Sequence, residues 1–276
     1  MSEEVDALRD EVRRLRAQIT AIYNSEIESF HFSPAAQQDW SEVDSIPSRG
    51  NSAATVQALI ENAHALDFDQ RLNTSSYVNV SFEPEEEAVA LLGLGVNLAD
   101  QTVYPQSYKL HDRVVNMLAR LWHCPEPSDF AETQTFAGAG TVGSTEACLL
   151  AGLALKFRWR EWRAGRDGLS PSEVLGIKPN IVISTCYQAA WEKLFKYMDI
   201  EPRLIAPSKD TFTIDPEEVR AAVDDHTIGV VCIMGNHYGG QYDPVWDVDQ
   251  VLTEVNEEQG LQVGIHVDAA SGGFIA

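Results

Sequence analysis

Apolar residues near the start of the chain recur three and four positions apart: Val5, Leu8, Val12, Leu15, Ile19 and Ile22. That spacing puts them on one stripe of a helix over 2–22, the seam of a short coiled coil. Such a stripe either contacts another subunit or covers the chain's own core. The periodicity stops over 24–52, where Ser, Pro, Gly and acidic residues gather, and an extended connection is expected there. It returns over 53–67, 84–92 and 106–123, each predicted helical. In the last, Leu110, Val114, Met117, Leu118 and Leu121 share one face.

Beyond residue 140 the pattern changes. A predicted helix over 144–164 is followed by the apolar run Asn180–Ser184, a helix over 188–198 and the run Arg203–Ala206. Then come a helix over 215–223, the run Ile228–Met234, a helix over 246–258 and the run Gln262–Val267. Short apolar strands alternating with helices define an α/β fold whose mainly parallel sheet is covered on both faces. The expected organisation is a helical and extended segment over 1–60, available for subunit contact, followed by an α/β domain over 61–276. Ligands of such sheets gather where the carboxyl ends of strands meet helix N-termini.

The charge balance narrows the partners. Forty-two acidic side chains against 20 basic ones leave a net charge of −22, which repels nucleic-acid backbones and anionic lipid surfaces. The chain has no 18-residue apolar run, and its first residues are too charged for a secretory leader, so a cytoplasmic protein is expected. The four cysteines are scattered, no His-Glu-x-x-His is present, and neither disulfides nor a metal site is expected.

Two stretches stand where ligands should bind. Gly138-Ala-Gly140-Thr-Val-Gly143 matches the letters of the dinucleotide fingerprint. Its context fails, because 132–136 makes a poor central strand and 180–184 ends without a ribose-binding acid. The physics survives: small residues leading into a helix expose free N–H groups at its positive end, and Ser144 and Thr145 add hydroxyls. This makes a phosphate site needing no lysine or arginine; the plainer alternative is that one hydroxyl caps the helix. In the second stretch Asp268 ends an apolar strand and is followed by Ala-Ala-Ser-Gly-Gly273. A carboxylate there can pair with a protonated ring nitrogen while Ala270 lies against the ring; the alternative is a turn cap.

Seven segments taken in order resemble the pyridoxal-phosphate-dependent group II amino-acid decarboxylases, most closely the branch acting on glutamate. They are Arg71-Leu-Asn73, Tyr104-Pro-Gln-Ser107, Val115-Asn-Met-Leu118, Gly143–Cys148, Lys156–Arg160, Gln188-Ala-Ala-Trp191 and His266–Phe274. The resemblance implies a fold-type-I, transferase-like large domain binding pyridoxal 5'-phosphate. It implies Ser144 and Thr145 as donors to the cofactor phosphate, Gln188 stacked over the ring, Ala270 beside it and Asp268 on the ring nitrogen. Ser76 and Asn97 fall where the family contacts a substrate carboxylate. Decarboxylases of aromatic substrates usually carry histidine where Gln188 stands. A homodimer or higher homo-oligomer is also implied, since sites of this fold are usually shared between subunits.

The implied reaction is α-decarboxylation of L-glutamate to 4-aminobutanoate and CO2. The alternatives are a related decarboxylase acting on aspartate or another amino acid, and a non-catalytic paralogue that binds a full-length subunit. Two departures bear on these. The family's cofactor lysine lies in a Ser-x-His-Lys motif roughly 30 residues past the strand-end aspartate. This chain ends at Ala276 with none of its six lysines in such a motif, so a truncated form lacking the C-terminal part, inactive alone, is expected. His237 stands where the family usually has a small hydroxyl residue, which makes it a candidate for contact with cofactor or substrate.

Overall fold

The computed structural model describes residues 8–20, 52–67, 72 and 82–275. Among them, those up to 72 belong to one compact unit and 82–275 to another. The first contains helix α1 (8–20) and helix α2 (Ala53–His64). Leu8, Val12, Leu15 and Ile19 of the predicted stripe are exposed on α1; Val5, Ile22 and the connection over 24–51 lie outside the described residues. The Ser52 hydroxyl caps α2 by accepting the Thr55 amide at 3.1 Å.

The second unit opens with helices α3 (Pro84–Gly93), α4 (Pro105–Leu121) and the single turn α5 (Phe130–Thr133). Proline at the first helical position starts both α3 and α4, where a missing N–H costs nothing. The remaining elements alternate: α6 (Ser144–Asp167), α7 (Pro171–Leu175), β1 (Asn180–Ser184), α8 (Ala190–Tyr197), β2 (Glu201–Ile205), α9 (Pro216–Ala222), β3 (Thr227–Ile233), α10 (Val245–Gln259) and β4 (Gly264–Asp268). The predicted α/β alternation is what forms. The short α5 and α7 are additions, α7 started by a capping box between Ser170 and Glu173.

The four strands run in the order β2-β1-β3-β4, every neighbouring pair parallel. β1 and β3 are buried along their whole length because helices cover both faces. On one face Ile181, Ile183, Val231 and Ile233 pack with Leu155 and Trp159 of α6 and Trp191 and Leu194 of α8. On the other, Val182, Val230 and Cys232 pack with Val219 of α9 and Val248, Leu252 and Val255 of α10. Pairing slips by one residue between Asn180↔Thr227 and Val182↔Val230, a bulge over Ile228 and Gly229. Gly229 is required there, since a Cβ would stand 2.8 Å from Leu155 of α6. Gly152 likewise lets α6 close on α8, because a Cβ would meet Leu194 at 2.3 Å.

Two carboxylates pin the chain around this sheet. Asp224 accepts the Asn180 amide, the Arg203 guanidinium and the His226 N–H, joining β1 and β2 to the entry of β3. Burial alone would raise its pKa, but these donors outweigh that and hold it below the usual range. Asp243 is buried and accepts the Ile214 and Ile233 amides at 2.9 and 2.7 Å, which ties the loop after β3 back to the strand end. Burial raises its pKa against those two bonds.

Candidate functional site

The start of α6 is held from α4. Asn116 reads the incoming backbone at two points, donating to the Gln134 carbonyl at 2.8 Å and accepting the Phe136 amide at 2.9 Å. His111 Nε2 accepts the Gly140 N–H at 2.8 Å, and Gly138 lies so close to Val115 that a Cβ would come within 2.6 Å. Residues 130–133 form the turn α5 and no strand leads into Gly138, so the dinucleotide fingerprint lacks its structural context.

Gly143 occupies the cap position in extended backbone and provides no side-chain cap. The Glu146 carboxylate accepts the Val142 N–H at 2.8 Å, and Thr141 donates to the Gly143 carbonyl at 3.0 Å. Ser144 is exposed and Thr145 half-buried, and among the described residues neither hydroxyl has a hydrogen-bond partner. The fold does not use these hydroxyls as caps. They stand with the unpaired amides of a helix's first turn, where an anion is favoured.

Asp268 ends β4. Its Oδ2 accepts the indole N–H of Trp191 at 2.8 Å, and its Oδ1 accepts only the longer Ala270 N–H at 3.3 Å. Trp191 is fully buried, so its indole fixes the carboxylate from inside the core. An indole N–H enclosed this way needs a partner, and the carboxylate is that partner. Trp191 also packs edge-on against His266 at 5.4 Å, and burial lowers the His266 pKa despite the nearby Asp268 charge. The Cys148 thiol, one turn into α6, is pushed up to about 12, first by burial and then by the Asp268 carboxylate. Cys148 therefore links the two predicted spots. It shares a buried cluster with Trp191, which bonds Asp268, and lies roughly 6 Å along the helix from Ser144, at 1.5 Å per residue.

The turn after Asp268 is packed closely. Trp122, at the end of α4, donates to the Gly273 carbonyl at 2.9 Å, and a Cβ on Gly273 would meet the Ala269 carbonyl at 2.8 Å. Ala270 remains exposed. Gln188 is half-buried at the entry to α8, its side-chain oxygen accepting the Ala190 N–H, so its carbonyl serves as a helix-start cap while its amide nitrogen is uncommitted among the described residues. His237 lies half-buried against Tyr238, ring centroids 4.1 Å apart, in the loop after β3. That loop reaches the β4 turn at Gly235, whose left-handed backbone (φ 81°) faces Ser271. Asn97 is exposed and accepts the Ala99 N–H at 3.1 Å within its own loop; no hydrogen bond among the described residues joins it to Asp268 or Ser144. Ser76 lies outside the described residues. No sequence signal marks His111 or Trp122 as supports. Asn116 and Trp191 belong to segments that carry the resemblance but have no role assigned by it, although an indole bound for the core always needs an acceptor.

These features suit a phosphorylated ring: a helix start with free hydroxyls that favours an anion, and an anchored carboxylate with one weakly engaged oxygen. The family model described as pyridoxal-dependent decarboxylase conserved domain matches residues 36–276, and the chain belongs to that family. Glutamate decarboxylase of Lactococcus lactis subsp. cremoris is 39% identical over 218 residues, covering 79% of this chain and 45% of that protein. Glutamate decarboxylase of Solanum lycopersicum is 36% identical over 259 residues, covering 93% of this chain and 49% of that protein. A solved glutamate decarboxylase from Lactobacillus brevis superposes with a TM-score of 0.76 at 37% identity, covering 89% of this chain and 53% of that one. The fold is that of the fold-type-I pyridoxal-phosphate enzymes. The chain spans about half the length of the relatives it matches.

Proposed function

We propose that the chain carries the cofactor-binding half of an enzyme that α-decarboxylates L-glutamate to 4-aminobutanoate and CO2. The observation that carries this reading is the pairing of free Ser144 and Thr145 hydroxyls at the start of α6 with Asp268, joined to that helix through the core that holds both Cys148 of α6 and Trp191, the indole donor to Asp268. When bound, pyridoxal 5'-phosphate supplies a protonated ring that accepts the electron pair left by departing CO2. Ser144, Thr145 and the first amides of α6 bind the phosphate. Asp268 would hold a proton on the ring nitrogen through Oδ1, which carries only the longer Ala270 N–H, since Trp191 occupies Oδ2. Ala270, Gln188 at the start of α8 and His237 in the loop after β3 would line the ring of that cofactor.

Ser76 and Asn97 bind the substrate carboxylate, Asn97 through its amide nitrogen, which has no partner among the described residues. In this reading they act across a subunit boundary in a cytoplasmic homo-oligomer. The outward stripe of α4 supports that assembly: Leu110, Val114, Met117 and Leu121 are each more than half exposed. The segment over 1–60 makes further subunit contact, and 61–276 forms the cofactor domain. The cofactor lysine is not among the six lysines here, because none stands in Ser-x-His-Lys.

The test is CO2 release from carboxyl-labelled L-glutamate and L-aspartate, by this chain and by a protein extended through a Ser-x-His-Lys segment. The expected result is no release by the chain alone and release from glutamate by the extended protein. Preference for aspartate contradicts the substrate, and release by the chain alone contradicts the account of the lysine.

A further inference from the structure

His111 holds the glycine turn in a way that requires one protonation state. Its Nε2 accepts the Gly140 N–H at 2.8 Å, so that nitrogen carries a lone pair and the ring proton sits on Nδ1, 3.2 Å from Asp112 Oδ1. The ring lies flush on the backbone, since a Cβ on Gly140 would come within 3.3 Å of His111 Cδ2. Asn116 and Val115 hold the same segment earlier, at Gln134, Phe136 and Gly138. Of these holds, only the one at Gly140 is made by an imidazole nitrogen, which accepts a hydrogen bond when bare and becomes a donor when it takes up a proton. It is also the last hold from α4 before the backbone reaches Ser144, Val142 beyond it being held by Glu146.

We propose that neutral His111 is a positioning residue for the phosphate-binding turn and that its protonation releases that turn. A second proton would place an Nε2–H donor against the Gly140 N–H donor, and the bond cannot persist. From α4, the Asp112 carboxylate stands 3.2 Å from Nδ1 and Tyr108 stands 5.8 Å away between ring centroids. From the turn, residues 137–143 bring no ionisable side chain, and the Gly140 amide donates to Nε2. From α6, Glu146 is committed to the Val142 amide. With Asn116 still engaged at Phe136 and Glu146 at Val142, release is confined to 137–141, so acid loosens the approach to Ser144 while the sheet stays intact.

The inference rests on the phosphate reading of the α6 start, and its test keeps the two apart. In the chain as it stands, Gly140 amide exchange, corrected for intrinsic rates, is measured at pH 8 and pH 5. Native protein, His111→Gln (a neutral acceptor at both pH values) and His111→Phe (no acceptor) are compared. Native protection is expected to fall about tenfold at pH 5, to hold in His111→Gln, and to be absent in His111→Phe throughout. Pyridoxal 5'-phosphate affinity, read by tryptophan fluorescence and taken as the ratio of native to His111→Gln so that the phosphate's own titration cancels, is expected to fall about fivefold from pH 8 to pH 5. Equal native protection at both pH values, or a constant affinity ratio, overturns the proposal. Unchanged affinity in a Ser144→Ala, Thr145→Val double variant overturns the phosphate reading instead.

Discussion

From Ser144 onward, the helices and strands turn apolar residues into two cores, and β1 and β3 are sealed on both sides. Between Pro84 and Thr133, helices α3, α4 and α5 bury no side chain, although α4 carries a clear apolar stripe. The difference lies in what each surface packs against. In the first region, neighbouring elements of the same unit supply the opposing face. In the second, α4 gives one side, through His111, Val115 and Asn116, to the backbone of 134–140 and leaves Leu110, Val114, Met117 and Leu121 outward. The candidate site draws on both regions. Its fixed carboxylate comes from the sealed one, and its phosphate turn is steadied by the open one.

The contrast breaks most sharply at Trp191. Trp191→Ala opens a cavity at a fully buried position and strips Asp268 of its indole donor, so a loss of about 3–5 kcal/mol in urea unfolding is expected. A loss below about 1 kcal/mol would show that this part of the core is not closed.

A smaller effect separates the regions by pH. The folded pKa of Asp224 is lowered, so the stability it contributes is complete above the unfolded aspartate value near ~3.9 and is lost as pH falls through the lower folded value. Urea midpoints measured between pH 5 and pH 2 should therefore drop more steeply for the native chain than for Asp224→Asn. Parallel curves would remove Asp224 as the pin joining β1, β2 and β3. The smallest effect on folding is expected on α4. Leu110→Glu and Met117→Glu should shift stability by no more than about 0.5 kcal/mol while lowering the sedimenting mass of any assembly. A large loss of stability would mean that the stripe is internal packing.

The same contrast explains what the sequence made legible. Strands β1 and β3 were visible because burial on both faces writes a continuous apolar run, and α6 because its start is marked by Gly143-Ser-Thr. The bulge at Gly229 was not visible, since one extra residue in a strand alters no local pattern and is fixed by Leu155 across the core. The ends of the site, Ser144 and Asp268, stood at recognisable junctions of strand and helix. Their supports did not: the Trp191–Asp268 and Trp122–Gly273 bonds span 77 and 151 residues, and only the folded chain pairs them. Helix α7 was readable and overlooked, for Ser170-Pro-Ser-Glu173 is a capping box with proline at the first turn.

The account stands on a single ligand reaching from the α6 start to the β4 end. The most direct measurement is nitrogen-15 NMR of ring-labelled pyridoxal 5'-phosphate bound to the native chain and to Asp268→Ala. The predicted result is a protonated ring nitrogen on the native chain and a deprotonated one on the variant, with the phosphorus-31 signal of the bound phosphate unchanged between them. A ring nitrogen with the same protonation in both would contradict it.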